Sequence, residues 1–287
     1  MNFKLVGMLG LVGLMIAGAG QTRQLCDGLV EKNDLNIPVG SKDAGGMTQD
    51  EFNKILDRVE TKYKATVAAH GGNLVMERAW DDGTVNAYAN QSGGDWIVHM
   101  YGGLARHPAI TGDGLMLAAC HELGHHLGGA PKINNYFSSW ASNEGQADYF
   151  ANLKCFRQIV ENDNNEAIVN GLNVPDAVKK GCTQQYSDYK AQLVCEREAM
   201  AGFSVAKLFQ VLRKEGTEPG FTTPDANIVT EMFDAHPGTQ CRLDTYYNGA
   251  LCNAPYATDV SNTDVMQGTC EHQDFQPGGR PRCWFKF

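Results

Sequence analysis

The chain has 287 residues, nine cysteines and a formal net charge of −9. Its length suits one large domain or two small ones, and its 43% of hydrophobic residues can bury a sizeable core. The acidic excess argues against nucleic acid as a partner, because phosphate binding needs clustered lysine and arginine.

The first twenty residues have the order of a secretory signal peptide. Lys4 adds positive charge near the amino terminus, an apolar run covers 5–16, and Ala17 to Ala19 supplies an A-x-A cleavage site. The run is shorter than the ~20 residues that cross a bilayer. We therefore expect an exported protein, periplasmic or secreted, without a transmembrane anchor after processing.

A lead-in, a helix and three strands follow. Residues 21–46 are polar and glycine-rich, which predicts a flexible lead-in. Thr48 and Glu51 have the spacing of a capping box, and the apolar residues after them recur at helical spacing as far as Gly71. Short strands are predicted over 73–80, 85–90 and 96–103, the last as a candidate edge strand.

The second half of the chain is predicted to be helical and then irregular. The glycine, proline, asparagine and cysteine content after residue 216 favours loops there. Helices are predicted at 115–127, 142–155 and 199–215, with an asparagine-rich helical stretch at 156–198.

Cysteine usage indicates an oxidising compartment. No C-x-x-C pair occurs, which argues against a cysteine-based zinc ribbon, and five of the nine cysteines lie beyond residue 190. The odd count leaves one unpaired, and Cys120 is the candidate because it shares an apolar helical stripe with Met116 and Leu123. The other eight allow four bridges, whose connectivity the sequence leaves open among 105 arrangements.

The stretch "CHELGHHLGG" contains the motif H-E-x-x-H. On a helix His121 and His125 lie one turn apart on one face, so both imidazoles can reach one metal ion. Glu122 is rotated from them by about 100 degrees, where it can act as a general base on water. Gly124 leaves room beside the pair. A surface helix with solvated side chains is the alternative, and a third ligand decides between them.

Two positions are candidates for the third ligand. The longer pattern H-E-x-x-H-x-x-G-x-x-H fails, because residue 131 is proline. The stretch "NEGQAD" offers Glu144, with Asp148 one turn later on the same helical face. Glu144 would complete a His2Glu site, and Asp148 would accept the free ring N–H of a ligand histidine. Ordinary acids on a helix surface are the alternative. His126 points away from the pair and is not expected to be a ligand.

The order of these motifs resembles the M48 family of gluzincin metallopeptidases, which includes bacterial heat-shock and periplasmic peptidases and the CAAX-processing protease. The resemblance covers about residues 73 to 250, and the combination is far more specific than any piece. The shared features, in chain order, are Asn86-Ala87-Tyr88-Ala89, Gly93-Gly94, Ile97-Val98 leading to Gly102-Gly103-Leu104, the H-E-L-G-H helix, Glu144 with Asp148, and His236-Pro237 with Arg242.

The resemblance implies one Zn²⁺ per chain, held by His121, His125 and Glu144, with Glu122 as general base. It implies that the strand Trp96–Met100 pairs with an extended peptide or unfolded protein by strand addition. Two further residues follow the family pattern: His236 would stabilise the oxyanion or orient Glu144, and Arg242 would pair with Asp148 or another buried acid. A loop histidine before a proline is the alternative for His236.

The expected fold is α+β and mainly helical: a zincin-like metallopeptidase with an active-site helix, a small sheet with an edge strand, and a disulfide-stapled C-terminal region. Two parts depart from the family pattern, the region 156–198 and the tail. The expected division is a signal peptide at 1–20, a flexible lead-in at 21–46, a gluzincin-like peptidase domain at 47–250 containing a helical insertion-like region at 156–198, and a cysteine-rich extension at 251–287.

The expected function is that of an exported zinc endopeptidase. Two alternatives remain open: a zinc-stabilised binding or chaperone-like module with weak catalysis, and a latent peptidase that needs processing. The intact Glu122 weighs against the binding module, because a structural zinc site needs no base and closes its fourth position with a protein ligand.

Overall fold

The structure is a computed structural model, and it describes residues 28–133, 139–271 and 276–287. The predicted signal peptide and Cys26 lie outside the described residues. The described chain is α+β and mainly helical, as expected. Its strands are β1 (Asn73–Ala79), β2 (Ala87–Ser92) and β3 (Asp95–Tyr101), and its helices are α1 (Gln49–Ala69), α2 (Gly102–Arg106), α3 (Gly112–Leu127), α4 (Glu144–Phe150), α5 (Arg157–Val160), α6 (Asn165–Asn170), α7 (Asp176–Gln185), α8 (Tyr189–Leu212) and α9 (Thr239–Leu251).

The three strands form one sheet in the order β1-β3-β2. β1 runs parallel to β3, with Val75 opposite Ile97, and β2 runs antiparallel to β3, with Asn90 opposite Ile97. The prediction that Trp96–Met100 is an edge strand is therefore wrong. The turn at 93–94 places β2 on one side of β3, and β1 pairs along the other side, so the outer strands are β1 and β2.

The core lies between the sheet and the helices. Leu74 and Met76 of β1 and Val98 and Met100 of β3 point inward, as alternation along a strand requires. Helix α3 packs against α1, α4, α8 and β2. It is buried on all sides over 114–126, which suits the apolar sequence of 114–120 and also buries His121, Glu122, His125 and His126.

Helix α1 begins as the sequence predicts. The Glu51 N–H donates to Thr48 Oγ1 at 3.2 Å, and the Thr48 N–H donates to Glu51 Oε2 at 2.8 Å, which completes the capping box. Helix α3 begins at Gly112, three residues before the predicted start, because the Thr111 side chain caps it through the Gly114 N–H.

The predicted boundary at 198 is wrong, because it falls inside α8, which is continuous from 189 to 212. The described residues after 216 are mostly loops, as predicted, except for helix α9, which contacts α4 and α8. Helix α9 forms because one of its faces is buried. Its asparagine, glycine and cysteine residues resemble those of a loop, so the sequence pattern did not indicate a helix.

Four disulfides join described residues, and two of them close the C-terminal region. The prediction that Cys120 is unpaired is wrong: it bonds to Cys155, because its apolar stripe faces the π-helical turn Ala151–Phe156 that follows α4. An apolar stripe in the sequence predicts that its cysteine is buried, but it does not show whether a second cysteine lies on the element packed against it. The other bridges are Cys182–Cys195, Cys241–Cys283 and Cys252–Cys270.

The described part of the lead-in, residues 28–46, is anchored to the core. Leu29, Val30 and Ile37 are buried, and the Leu29 N–H donates to Ala87 O at 2.9 Å. The sequence did not predict these contacts, because a few separated apolar residues make no periodic pattern yet suffice to anchor a segment.

No helix among the described residues is long and apolar enough to cross a membrane.

Candidate metal centre

Helix α3 places two imidazoles side by side. His121 and His125 lie one turn apart, with ring centroids separated by 4.8 Å in an edge-to-face arrangement. Both side chains are completely buried. The i, i+4 spacing places the two imidazoles together, and the burial of α3 shields both of them from water.

Helix α4 brings a carboxylate to this pair. Glu144 lies in its first turn, with Oε2 3.3 Å from His121 Nε2 and Oε1 3.7 Å from His125 Nε2. The two helices approach closely at Gly124, where a Cβ atom would lie 2.9 Å from the Ala147 carbonyl oxygen. Glycine at 124 thus permits the helix spacing that puts Glu144 beside the histidines.

The remaining ring nitrogens hold the imidazoles in position. His121 Nδ1 lies 2.7 Å from Asp148 Oδ1, and His125 Nδ1 donates to the Ser142 carbonyl oxygen at 2.8 Å. Each histidine therefore turns its Nε2 toward Glu144. Such partners fix the tautomer and orientation of metal-ligating histidines.

Arg242 holds Asp148 from behind. Its Nε and Nη2 each lie 2.7 Å from a carboxylate oxygen of Asp148, and both side chains are fully buried. The guanidinium also stacks on Phe209 at 3.9 Å from the ring centroid. This contact fixes the end of a chain of interactions running from α9 through α4 to α3.

The donor set fits a zinc ion. Within the described part of the chain, His121 Nε2, His125 Nε2, Glu144 Oε2 and both Glu122 oxygens are buried without a hydrogen-bond partner. Buried polar atoms in proteins almost always have one, so a group of unpaired donor atoms at one point fits a site that binds a ligand. Two imidazoles with a carboxylate are the protein ligands of several catalytic zinc sites.

A second cluster, Asp225 with Cys241 and Cys283, also brings donor atoms together. Both of its sulfurs are joined in a disulfide, so they are not available as thiolate ligands. The cluster does not compete with the histidine site for a metal.

Glu122 also lies beside the two histidines, close enough for its carboxylate and the two imidazoles to hold one ion together. Its Oε2 is 4.0 Å from His125 Nε2. Burial, aided by the charge of Glu144, raises the pKa of Glu122 to about 8, although His121 opposes the shift. A carboxyl group with a pKa near neutrality is suited to taking and returning a proton.

The two histidines differ in protonation. Burial lowers the pKa of His125 to about 4, so its imidazole is neutral and ready to bind a metal. Burial also acts against a charge on His121, but the adjacent Asp148 carboxylate outweighs it and raises the pKa of His121 to about 9. Metal binding at His121 would therefore release a proton.

His236 lies at the rim of this group. Its Nε2 is 3.4 Å from Glu144 Oε2 and donates to the Gly28 carbonyl oxygen at 2.7 Å. The structure thus gathers into one cluster every side chain that the sequence singles out as a candidate for the site: His121, Glu122, His125, Glu144, Asp148, His236 and Arg242.

His126 is not part of the cluster. Its ring is stacked between Trp96 and Trp140, and its Nε2 lies 3.1 Å from the Ile97 carbonyl oxygen. Burial lowers its pKa to about 3. The residue anchors the end of α3 to the sheet, in agreement with its exclusion as a ligand.

Sequence reasoning missed two contributors to the site. The Ser142 carbonyl oxygen orients His125, and no side-chain pattern signals a backbone role. The Asn86 side chain binds the backbone of Val30, a segment that the sequence left as a loose lead-in. The signal for Asn86 was its place at the head of the N-A-Y-A stretch, immediately before β2, to which no role had been assigned.

No protein-family model, curated protein or solved structure gives a significant match to this chain. Its residues and their geometry therefore carry the functional argument.

Proposed function

We propose that this protein is an exported zinc-dependent endopeptidase of the M48 gluzincin type. The observation that carries the proposal is the convergence of unpaired Nε2 atoms of His121 and His125 with Glu144, next to the unpaired carboxylate of Glu122. A structural zinc site would close its fourth position with a protein ligand and would need no base.

His121, His125 and Glu144 would hold the ion. When bound, Zn²⁺ lowers the pKa of a water molecule and polarises the substrate carbonyl. Glu122 takes a proton from the attacking water and passes it to the leaving amine. His236 donates a hydrogen bond to the carbonyl oxygen on which negative charge develops. Asp148 and Arg242 keep His121 in its ligating orientation.

The substrate would be an extended peptide or an unfolded protein. Because β3 pairs on both sides, strand addition there is excluded, and the outer strand near α3 is β2. We propose that the substrate backbone pairs near Ala87, at the start of β2, by strand addition.

Four disulfides among the described residues support a protein that matures in an oxidising compartment. Together with the predicted signal peptide at 1–20, they support export to the periplasm or to the medium.

Metal content and proteolysis test the proposal together. The mature protein should bind about one Zn²⁺ per chain and cleave unfolded casein until a chelator is added. His121→Ala should lose the metal, whereas His70→Ala, at the exposed end of α1, should keep it. A protein that binds zinc and casein without cleaving it would instead be the binding module.

A further inference from the structure

Three residues of the lead-in lie against the candidate active site. The Gly28 carbonyl oxygen accepts a hydrogen bond from His236 Nε2 at 2.7 Å. The next residue, Leu29, donates its N–H to Ala87 O at 2.9 Å and accepts from Arg242 Nη1 at 2.6 Å. These backbone groups thus bind His236 and Arg242, beside the candidate metal centre, and Ala87, the first residue of β2.

The third residue completes the attachment. The Val30 N–H donates to Asn86 Oδ1 at 3.2 Å, and Asn86 Nδ2 donates to the Val30 carbonyl oxygen at 3.1 Å. Leu29 and Val30 are 0% and 1% exposed. A short stretch of chain, here called the blocking segment (Gly28–Val30), is therefore held by backbone hydrogen bonds and by two buried aliphatic side chains.

The blocking segment occupies the groups that a peptide substrate would need. In the proposed mechanism His236 binds a carbonyl oxygen of the substrate, but here it binds the carbonyl oxygen of Gly28. The Ala87 carbonyl oxygen, at the start of β2, would bind a substrate N–H, but here it accepts from Leu29. The segment makes these five bonds with its main-chain groups, one of them to the β2 backbone at Ala87 and four to the side chains of Asn86, His236 and Arg242. Recognition through the main chain, with side chains buried beside it, is also how extended peptides are bound.

We propose that the blocking segment is a built-in inhibitor that fills the substrate groove of the endopeptidase, so that the enzyme is latent until this segment leaves. The inference rests on the proposed function, because it identifies the groove by the metal centre. It names which part of the chain imposes latency and which contacts must break.

The conformation of Gly28 indicates an inhibitor and not a substrate in position for cleavage. Its φ is +91°, and a Cβ there would lie 2.3 Å from Ala87 O and 2.7 Å from Asn86 Oδ1. Residues with side chains rarely adopt this φ, so an ordinary extended peptide would not present its carbonyl in the same way. Glycine is the residue that lets the segment bend into the groove.

Gly28→Ala is the release variant, and Gly40→Ala is its matched control. Both glycines have positive φ, but a Cβ at Gly40, whose φ is +80°, would meet nothing within 4 Å. Alanine at 28 should expel the segment and raise kcat/KM for unfolded casein by about tenfold or more, as expected when a groove open in one molecule in ten becomes open in all. Gly40→Ala should match the parent.

Binding without turnover separates this inference from the proposed function. In a Glu122→Gln background, a fluorescein-labelled peptide with the sequence of residues 27–32 (DGLVEK) should bind the Gly28→Ala variant about tenfold or more tightly than the parent. Equal peptide affinity with and without Gly28→Ala in the Glu122→Gln background would overturn the blocking role, if the parent and Gly28→Ala also cleave casein equally. If no zinc-loaded variant cleaves casein, the proposed peptidase function is wrong. The peptide-binding measurement then decides by itself whether the blocking segment covers a binding site.

Leu29→Asp is the second release variant, since a carboxylate cannot remain in the fully buried position of Leu29. Variants are compared only if they retain zinc and unfold cooperatively. If both release variants meet this condition and neither gains peptide affinity or activity, the segment is structural and the proposal is wrong.

Discussion

Asp148 and Arg242 form a buried ion pair joined by two hydrogen bonds of 2.7 Å, and the same carboxylate lies 2.7 Å from His121 Nδ1. The carboxylate therefore links a stabilising pair to a candidate metal ligand. Damage to α9 should affect both the stability of the fold and the orientation of His121.

Arg242→Met should destabilise the protein by about 3–5 kcal/mol, because it leaves the Asp148 charge buried without its partner. Lys207→Met is the control, since the Lys207–Glu218 pair is solvent-exposed and should contribute no more than about 1 kcal/mol. Urea unfolding of both variants measures the free energies. Equal losses in the two would contradict the role of the buried pair.

Glu122→Gln should keep zinc and lose turnover. The amide has the shape of the carboxylate but cannot take a proton, so kcat should fall by about 10²–10⁴-fold, the usual contribution of a general base. Zinc per chain by elemental analysis and casein cleavage are measured on the same preparation. Undiminished casein hydrolysis by Glu122→Gln would show that Glu122 is not the general base.

His236→Ala distinguishes two roles for this residue, which touches both Glu144 and a carbonyl oxygen. If it stabilises the oxyanion, kcat should fall by about 10²–10³-fold with zinc affinity unchanged. We expect this result. A large loss of zinc affinity would mean that His236 acts by orienting Glu144.

Zinc binding at pH 7 should release protons. The pKa values of about 9 for His121 and about 8 for Glu122 lie above this pH, so both groups are protonated in the metal-free protein, whereas His125 is not. Zinc affinity should accordingly rise with pH and level off above about 9. Calorimetry in buffers of different ionisation enthalpy should count nearly two protons for the parent and about one for Glu122→Gln. The same count for both proteins would contradict this assignment.

Removing the Cys120–Cys155 bridge by double alanine substitution should cost about 4 kcal/mol, because chain entropy favours a bridge that closes a long loop. The bridge spans 35 residues and ends next to His121, so zinc affinity should fall as well. Cys182–Cys195 spans 13 residues away from the histidines, and its removal should cost about 3 kcal/mol with zinc affinity preserved. Unfolding curves and zinc titrations of the two double variants check both statements.

Local spacing predicted the parts of the site that lie within one helix. The i, i+4 rule puts His121 and His125 on one face, and the same rule relates Glu144 to Asp148. The sequence contains no measure of the distance between α3 and α4, which depends on packing around Gly124. The need for a third zinc ligand suggested that the two pairs would meet, and the resemblance to a family implied the same arrangement.

Properties that depend on distant parts of the chain were the ones predicted wrongly. Strand order is set by how three strands pair, so β3 could not be recognised as central from its own sequence. The partner of Cys120 lies 35 residues away. The blocking segment is three residues long, which is too short for any periodic signal, and its importance comes from contacts with residues near 86 and 236.

The close approach at Gly124 has a consequence for how H-E-x-x-H is interpreted here. The second "x" of the motif is usually treated as free, yet in this protein a single added methyl group would press on the backbone of Ala147. Such a methyl would drive α4 outward and carry Glu144, the proposed third ligand, with it. Loss of zinc could thus follow from a change at a position with no donor atom, in the middle of an otherwise intact signature.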